Sequence, residues 1–223
     1  MKYSEIRPRL RTGDILCWSG TGLMSNVIKM AQLGSGHGRT AANISHVGLV
    51  VLGDDMRMSN DWFAEGMKHA GRVLTFESTT LEDVPDIRDG TRKSGVLVRP
   101  LTDKLANYRG SVWVRRLAQA PVGFVHDVLN FMHDHHGTEY ENNIPKLFLS
   151  VLGLTTGWRP EDVSTMFCSE TICALLEYAN VLDKGAQDSD AICPAEIYNI
   201  ERLGIRAPAH YLPAVAIKMD GKA

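Results

Sequence analysis

Apolar residues gather into short runs in the first half of the chain and recur every three or four positions in much of the second. "GDILCW" (Gly13 to Trp18) is a short apolar run behind a turn signal and predicts a strand. "TGLMSNVIKMAQLG" spaces Leu23, Val27 and Met30 as a helix does, with Gly34 as its stop. After the Gly- and Ser-rich "GSGHGRTAANIS" comes "HVGLVVL" (His46 to Leu52), apolar almost throughout, as a strand buried on both faces is. "RVLTFES", "GVLVRP" and "GSVWVRRL" are three further β-branched runs. Polar stretches without a helical pattern separate them, and together they predict an antiparallel meander.

Beyond Pro121 the period changes. "VGFVHDVLNFMHDHHG" carries Val122, Val125, Leu129 and Met132 at helical spacing and ends at Gly137. "IPKLFLSVLGL" puts Leu147, Phe148, Val151 and Leu152 on one side of a short amphipathic helix, which reads as core packing, or as a pocket wall or interfacial patch. A helix is expected from Cys168 to about Asn180, and a last short one from Pro194 in "CPAEIYNIERLG". Strands first and helices later predict an α+β class. The expectation is a single domain over residues 1–223, with insertions near 54–71 and 141–160 bordering a cleft.

Composition narrows the function. At 223 residues and 44% hydrophobic content the chain is long enough to bury a sizeable core. With 24 basic against 26 acidic residues and a formal charge of -2, it lacks the electrostatic footprint of a nucleic-acid or anionic-lipid binder. The N-terminus is charged where a secretion signal needs an apolar core, and no run approaches the roughly 18 apolar residues of a spanning helix. A cytoplasmic protein without a transmembrane segment is expected. The cysteines Cys17, Cys168, Cys173 and Cys193 show no C-x-x-C spacing, so free thiols are the default.

One of these thiols stands where chemistry is favoured. Cys168, Ile172, Leu175, Leu176 and Ala179 fall at i, i+4, i+7, i+8 and i+11 and share the face expected to pack on the sheet. Cys168 is then at the helix N-terminus, where unpaired N–H groups stabilise a thiolate and can hold an oxyanion. Cys173 lies roughly 140° round the helix and is expected to be structural. A buried cysteine acting as a small hydrophobe would also explain Cys168, and a base is needed to decide. His46, a polar ring at the head of an apolar strand, is the candidate, with a bond to a loop carbonyl as its other explanation. Glu77, in "TFEST", is the candidate acceptor to orient that ring, unless it is a solvated strand-end residue. His133, His135 and His136 sit in a last helical turn and complement its dipole. Cys193 precedes a helix too, but no strand-borne histidine is tied to it, and it is expected to be structural.

"GDILCW", "SHVGLVV", "VLTFEST", "GTEYE", "FCSETICALLEYA" and "CPAEIY", in that order, resemble the circularly permuted papain-like proteins. The resemblance is to the permuted branch of NlpC-type amidases, including YiiX-like proteins, with lecithin retinol acyltransferases as more distant relatives. It covers most of the chain. It implies a papain-like fold, with an antiparallel sheet or small barrel packed against helices. It also implies a strand-borne histidine matching His46, a third member matching Glu77 and a helix-starting cysteine matching Cys168. Tyr140 falls where such proteins carry an aromatic residue near the site.

The expected function is a cysteine-dependent peptidase, amidase or acyltransferase acting on an amide or ester through Cys168, His46 and Glu77. Ser45, Trp18 and Tyr140 are expected to contact the substrate, which could be a peptide, a peptidoglycan-like fragment or a lipid ester. No cofactor and no metal are expected. Two other readings stay open: a non-catalytic module with a papain-like cleft for a peptide, cell-wall fragment or lipid, and a zinc hydrolase built on the His126 to His136 segment.

Overall fold

The structure, a computed structural model, describes residues 1–33, 37–140, 165–184 and 192–220. Its centre is a six-stranded antiparallel sheet. The sheet's strands in chain order are β1 (Ile15–Ser19), β2 (His46–Leu52), β3 (Val73–Thr79), β4 (Gly95–Pro100), β5 (Ser111–Arg115) and, late in the chain, β6 (Val215–Ile217). Among the described residues their spatial order is β6-β5-β1-β2-β3-β4, so β6 and β4 are the edges.

The meander expected for the later strands is corrected in one respect. β2, β3 and β4 do follow one another, but β5 returns to pair with β1, Cys17 facing Trp113, on the far side of the sheet. The polar stretch before β5 holds a helix, α6 (Leu101–Asn107), which carries the chain back. Two shorter helices, α4 (Gly53–Met56) and α5 (Phe63–Lys68), likewise fill the interval between β2 and β3. In α6 the large apolar positions number only two, Leu101 and Leu105, too few to register as a period.

Both faces of the sheet are covered, which is why β2 is apolar throughout. One cluster joins Ile15, Cys17, Val47, Leu49 and Phe76 to α7 (Phe124–His135) and to the helix Cys168–Tyr178, α8 here. The other joins Leu16, Trp18, Val50 and Val114 to α1 (Tyr3–Ile6) and α6. The buried side of α7 is set by Phe124, Val128, Leu129, Phe131 and Met132, whereas Val122 lies ahead of the helix in solvent. In α2 (Leu23–Leu33) the spaced residues Leu23 and Met30 are exposed, and the helix is anchored instead by Ile28 and Gln32. Gln32 bonds to Ala42 O at the end of α3 (Arg39–Ala42), to Ile44 O and to Ala195 N, so a polar side chain does the docking there.

The turn before β1 is fixed by Asp14, whose carboxylate accepts from Arg11 N and, at 2.8 Å, from Leu117 N. Burial pushes this carboxyl up to about 6. The helix Pro194–Tyr198, α9, starts at Cys193 with Pro194 in its first turn, as the sequence predicts. None of the described helices is long and apolar enough to cross a membrane. The 141–160 segment, where the sequence predicts an amphipathic helix, lies outside the described residues.

Candidate active site

β2 and β3 bring the first two candidate residues together. Leu49 faces Phe76 across the pair, and one step further along Gly48 comes level with Glu77. A Cβ placed on Gly48 would lie 3.3 Å from the Glu77 Cβ and 2.9 Å from Thr75 Oγ1, so the missing side chain is what admits Glu77 here. His46, at the head of β2, reaches across with its Nε2 2.7 Å from Glu77 Oε2. Glu77 is buried completely and the His46 side chain is 16% exposed, so one edge of the ring remains open to the surface.

Two cations hold the far side of the carboxylate. The Lys104 amine, projected from α6, contacts Glu77 Oε1, and Arg99 of β4 has Nη1 3.9 Å from the same oxygen. Both side chains are fully buried. Arg99 is itself fixed by Leu81 O, Lys93 O and Asp83. Burial alone would push the Glu77 carboxyl up. Lys104, His46 and Arg99 outweigh it and hold the group down at about 2, so Glu77 is a carboxylate at any ordinary pH.

α8 supplies the thiol. Its first turn is pinned on three sides: Glu170 accepts from Phe167 N at 3.0 Å, Thr171 Oγ1 donates to Phe167 O, and Ser169 Oγ donates to Ile192 O. Cys168 is thereby set at the first helical position, 5% exposed and within side-chain hydrogen-bonding reach of His46. Burial alone would lower the proton affinity of the ring. The Cys168 thiol and the Glu77 carboxylate reverse this and raise it to about 9. Since an ionised carboxylate only accepts, the Nε2 facing Glu77 carries the hydrogen, which leaves Nδ1 to exchange a proton with sulfur. The structure thus places Cys168, His46 and Glu77 side by side, drawn from α8, β2 and β3. In Cys17, Cys173 and Cys193 burial pushes the thiol up to about 12.

A cleft of about 400 Å³ opens beside the ring, lined by Ser45, His46, Ile28, Leu81, Tyr108 and Arg109 among others. Ser45 Oγ accepts from Gly20 N at 3.0 Å and helps shape its floor. Trp18, expected to touch the substrate, is corrected: it is fully buried, opposite His46 across the β1–β2 pair, with its ring against Tyr108 at 4.8 Å and the Lys104 amine at 5.2 Å. It supports the site from within. Tyr140 lies in the two-residue strand Glu139–Tyr140, which runs parallel to Thr165–Met166 just ahead of Cys168. None of the lining residues of the cleft comes from 54–71. That segment packs elsewhere, with Trp62 buried and donating from Nε1 to Leu129 O.

The helical histidines have separate partners. His136 bonds to Asp86 at 2.8 Å and His133 lies 3.9 Å from Asp61. Among the described residues no group of three or more His, Cys, Asp or Glu is placed to hold a metal ion. Cys193 has a histidine neighbour that its sequence context did not suggest, His37 at 3.8 Å.

Lys104 and Arg99 were missed by sequence reasoning, although both leave a trace. Lys104 falls in phase with Leu101 and Leu105, on the inward face of α6, and Arg99 interrupts an otherwise apolar strand. A charge at a core position needs a counter-charge, and Glu77 is that group.

No protein-family model matches the chain. No curated protein matches it either. Among solved structures it is similar to the metalloprotein YiiX from Escherichia coli O157:H7, with 15% identity, a TM-score of 0.47, and coverage of 91% of this chain and 96% of that one.

Proposed function

We propose that this protein is a cysteine-dependent hydrolase of the peptidase or amidase kind, or an acyltransferase, acting on an amide or ester bond. The observation that carries the reading is the His46 ring held between the Glu77 carboxylate at 2.7 Å and the Cys168 thiol. In this reading the thiol gives its proton to His46, and the sulfur bonds to the carbonyl carbon of the substrate. The resulting oxyanion meets the N–H groups at the start of α8. When the tetrahedral intermediate collapses, the carbon–nitrogen or carbon–oxygen bond breaks and His46 returns the proton to the leaving group. Water or a second acceptor then takes the acyl group from sulfur. Glu77 keeps the ring in one tautomer throughout. The resemblance of the sequence motifs to those of circularly permuted papain-like proteins supports this reading.

The test is brief exposure of the native protein to iodoacetamide near neutral pH, followed by peptide mapping. Cys168 is expected to be alkylated about tenfold faster or more than Cys17, Cys173 and Cys193, and His46→Ala is expected to abolish that advantage. Equal rates at all four thiols would overturn the reading.

A further inference from the structure

A general base in this chemistry has two opposed duties. It must take the thiol proton, and it must later release it to the leaving group. A histidine facing a buried, unshared carboxylate is well suited to the first and poorly suited to the second, because the cation it forms is held too firmly.

The Glu77 carboxylate is shared. Oε2 faces His46, whereas Oε1 faces the Lys104 amine, with the Arg99 guanidinium next nearest at 3.9 Å. Lys104 is fully buried and in line with the core residues Leu101 and Leu105, so it does not extend to solvent like an ordinary helical lysine. Among the described residues, the titratable groups that act directly on His46 are Glu77 on β3 and Cys168 on α8, and Arg109 and Asp83 line the same cleft. Behind Glu77 lie Lys104 on α6 and Arg99 on β4, with Asp83 beside Arg99 and the Tyr108 phenol feeling the Glu77 charge.

We propose that Lys104 is a positioning residue that sets the proton affinity of His46 by drawing charge from the opposite oxygen of Glu77, so that the ring can give up its proton as well as take it. This rests on the thiol-hydrolase reading, which gives the proton its use. Lys104 is not among the residues that line the cleft. Its influence passes through Glu77.

The experiment is an NMR titration of the His46 ring in a Cys168→Ala background, where the thiol no longer contributes. Lys104→Met keeps the length and apolar stem but removes the charge. It is expected to raise the His46 midpoint by about one pH unit, since a like positive charge a few ångströms away, which disfavours the imidazolium, is lost. Lys104→Arg is expected to keep the midpoint near that of the background protein. An unchanged or lowered midpoint in a folded Lys104→Met protein overturns the proposal. If Lys104→Met does not fold, Lys104→Gln carries the same expectation. If neither folds, the charge is required by the structure itself and the tuning role is rejected. The two readings fail separately: an unreactive Cys168 with a raised His46 midpoint removes the hydrolase, and a reactive Cys168 with an unmoved midpoint removes only the role of Lys104.

Discussion

Glu77 is a full negative charge in a place that water does not reach, and its three partners decide what that costs. Removing its charge by Glu77→Gln leaves Lys104 buried without its anion and Arg99 with Asp83 alone, and is expected to cost about 3 kcal/mol or more of stability, read by urea unfolding. The pH dependence follows from the directions of the two shifts. Glu77 lies below its ordinary value of 4.5, so the stability it contributes is present above that pH and is lost as pH falls toward about 2. His46 lies above its ordinary 6.5, so its contribution is complete below that pH and is lost as pH rises through about 9. Unfolding free energy measured from pH 6.5 to 9 is therefore expected to decline in the native protein and to decline less in His46→Ala. His46 and Glu77 were legible in the sequence because each is a polar residue in an apolar run. Lys104 was not, since two leucines around a lysine look like any solvated helix until the counter-charge is in view.

At the level of elements, the site depends on how closely β2 and β3 approach, and Gly48 sets that approach. Gly48→Ala places a methyl group 2.9 Å from Thr75 Oγ1 and 3.2 Å from Phe76 O. The strands must part or Glu77 must shift. A loss of about 1–3 kcal/mol is expected in urea unfolding, together with slower alkylation of Cys168, because His46 loses its alignment. Most strand positions could be read from β-branched runs and turn signals, and the α8 face from simple counting. What could not be read was the return of β5 to β1, since strand partners distant in sequence leave no local mark. Nor could the docking of α2, where Gln32 makes the anchoring contacts that an apolar pattern assigns to other residues.

For the whole molecule, the arrangement is assembled from parts far apart in the chain: His46 and Glu77 from the strands, Lys104 from the helix between β4 and β5, and Cys168 from a helix packed on the opposite cluster. No local piece holds it. Selective alkylation of Cys168 is therefore expected to disappear over the same urea range as the far-UV circular dichroism, and a protein that keeps its helices but loses that selectivity would contradict this.

The order of the parts along the chain has a further consequence during synthesis. A ribosome makes His46, then Glu77, then Arg99 and Lys104, so the histidine and the charges behind it are all in existence before the Cys168 sulfur is. The thiol comes some sixty residues after Lys104. On the proposed function, a nascent chain holds its charge cluster before it holds the Cys168 thiol, and selective alkylation of Cys168 is expected only after α8 leaves the exit tunnel and docks.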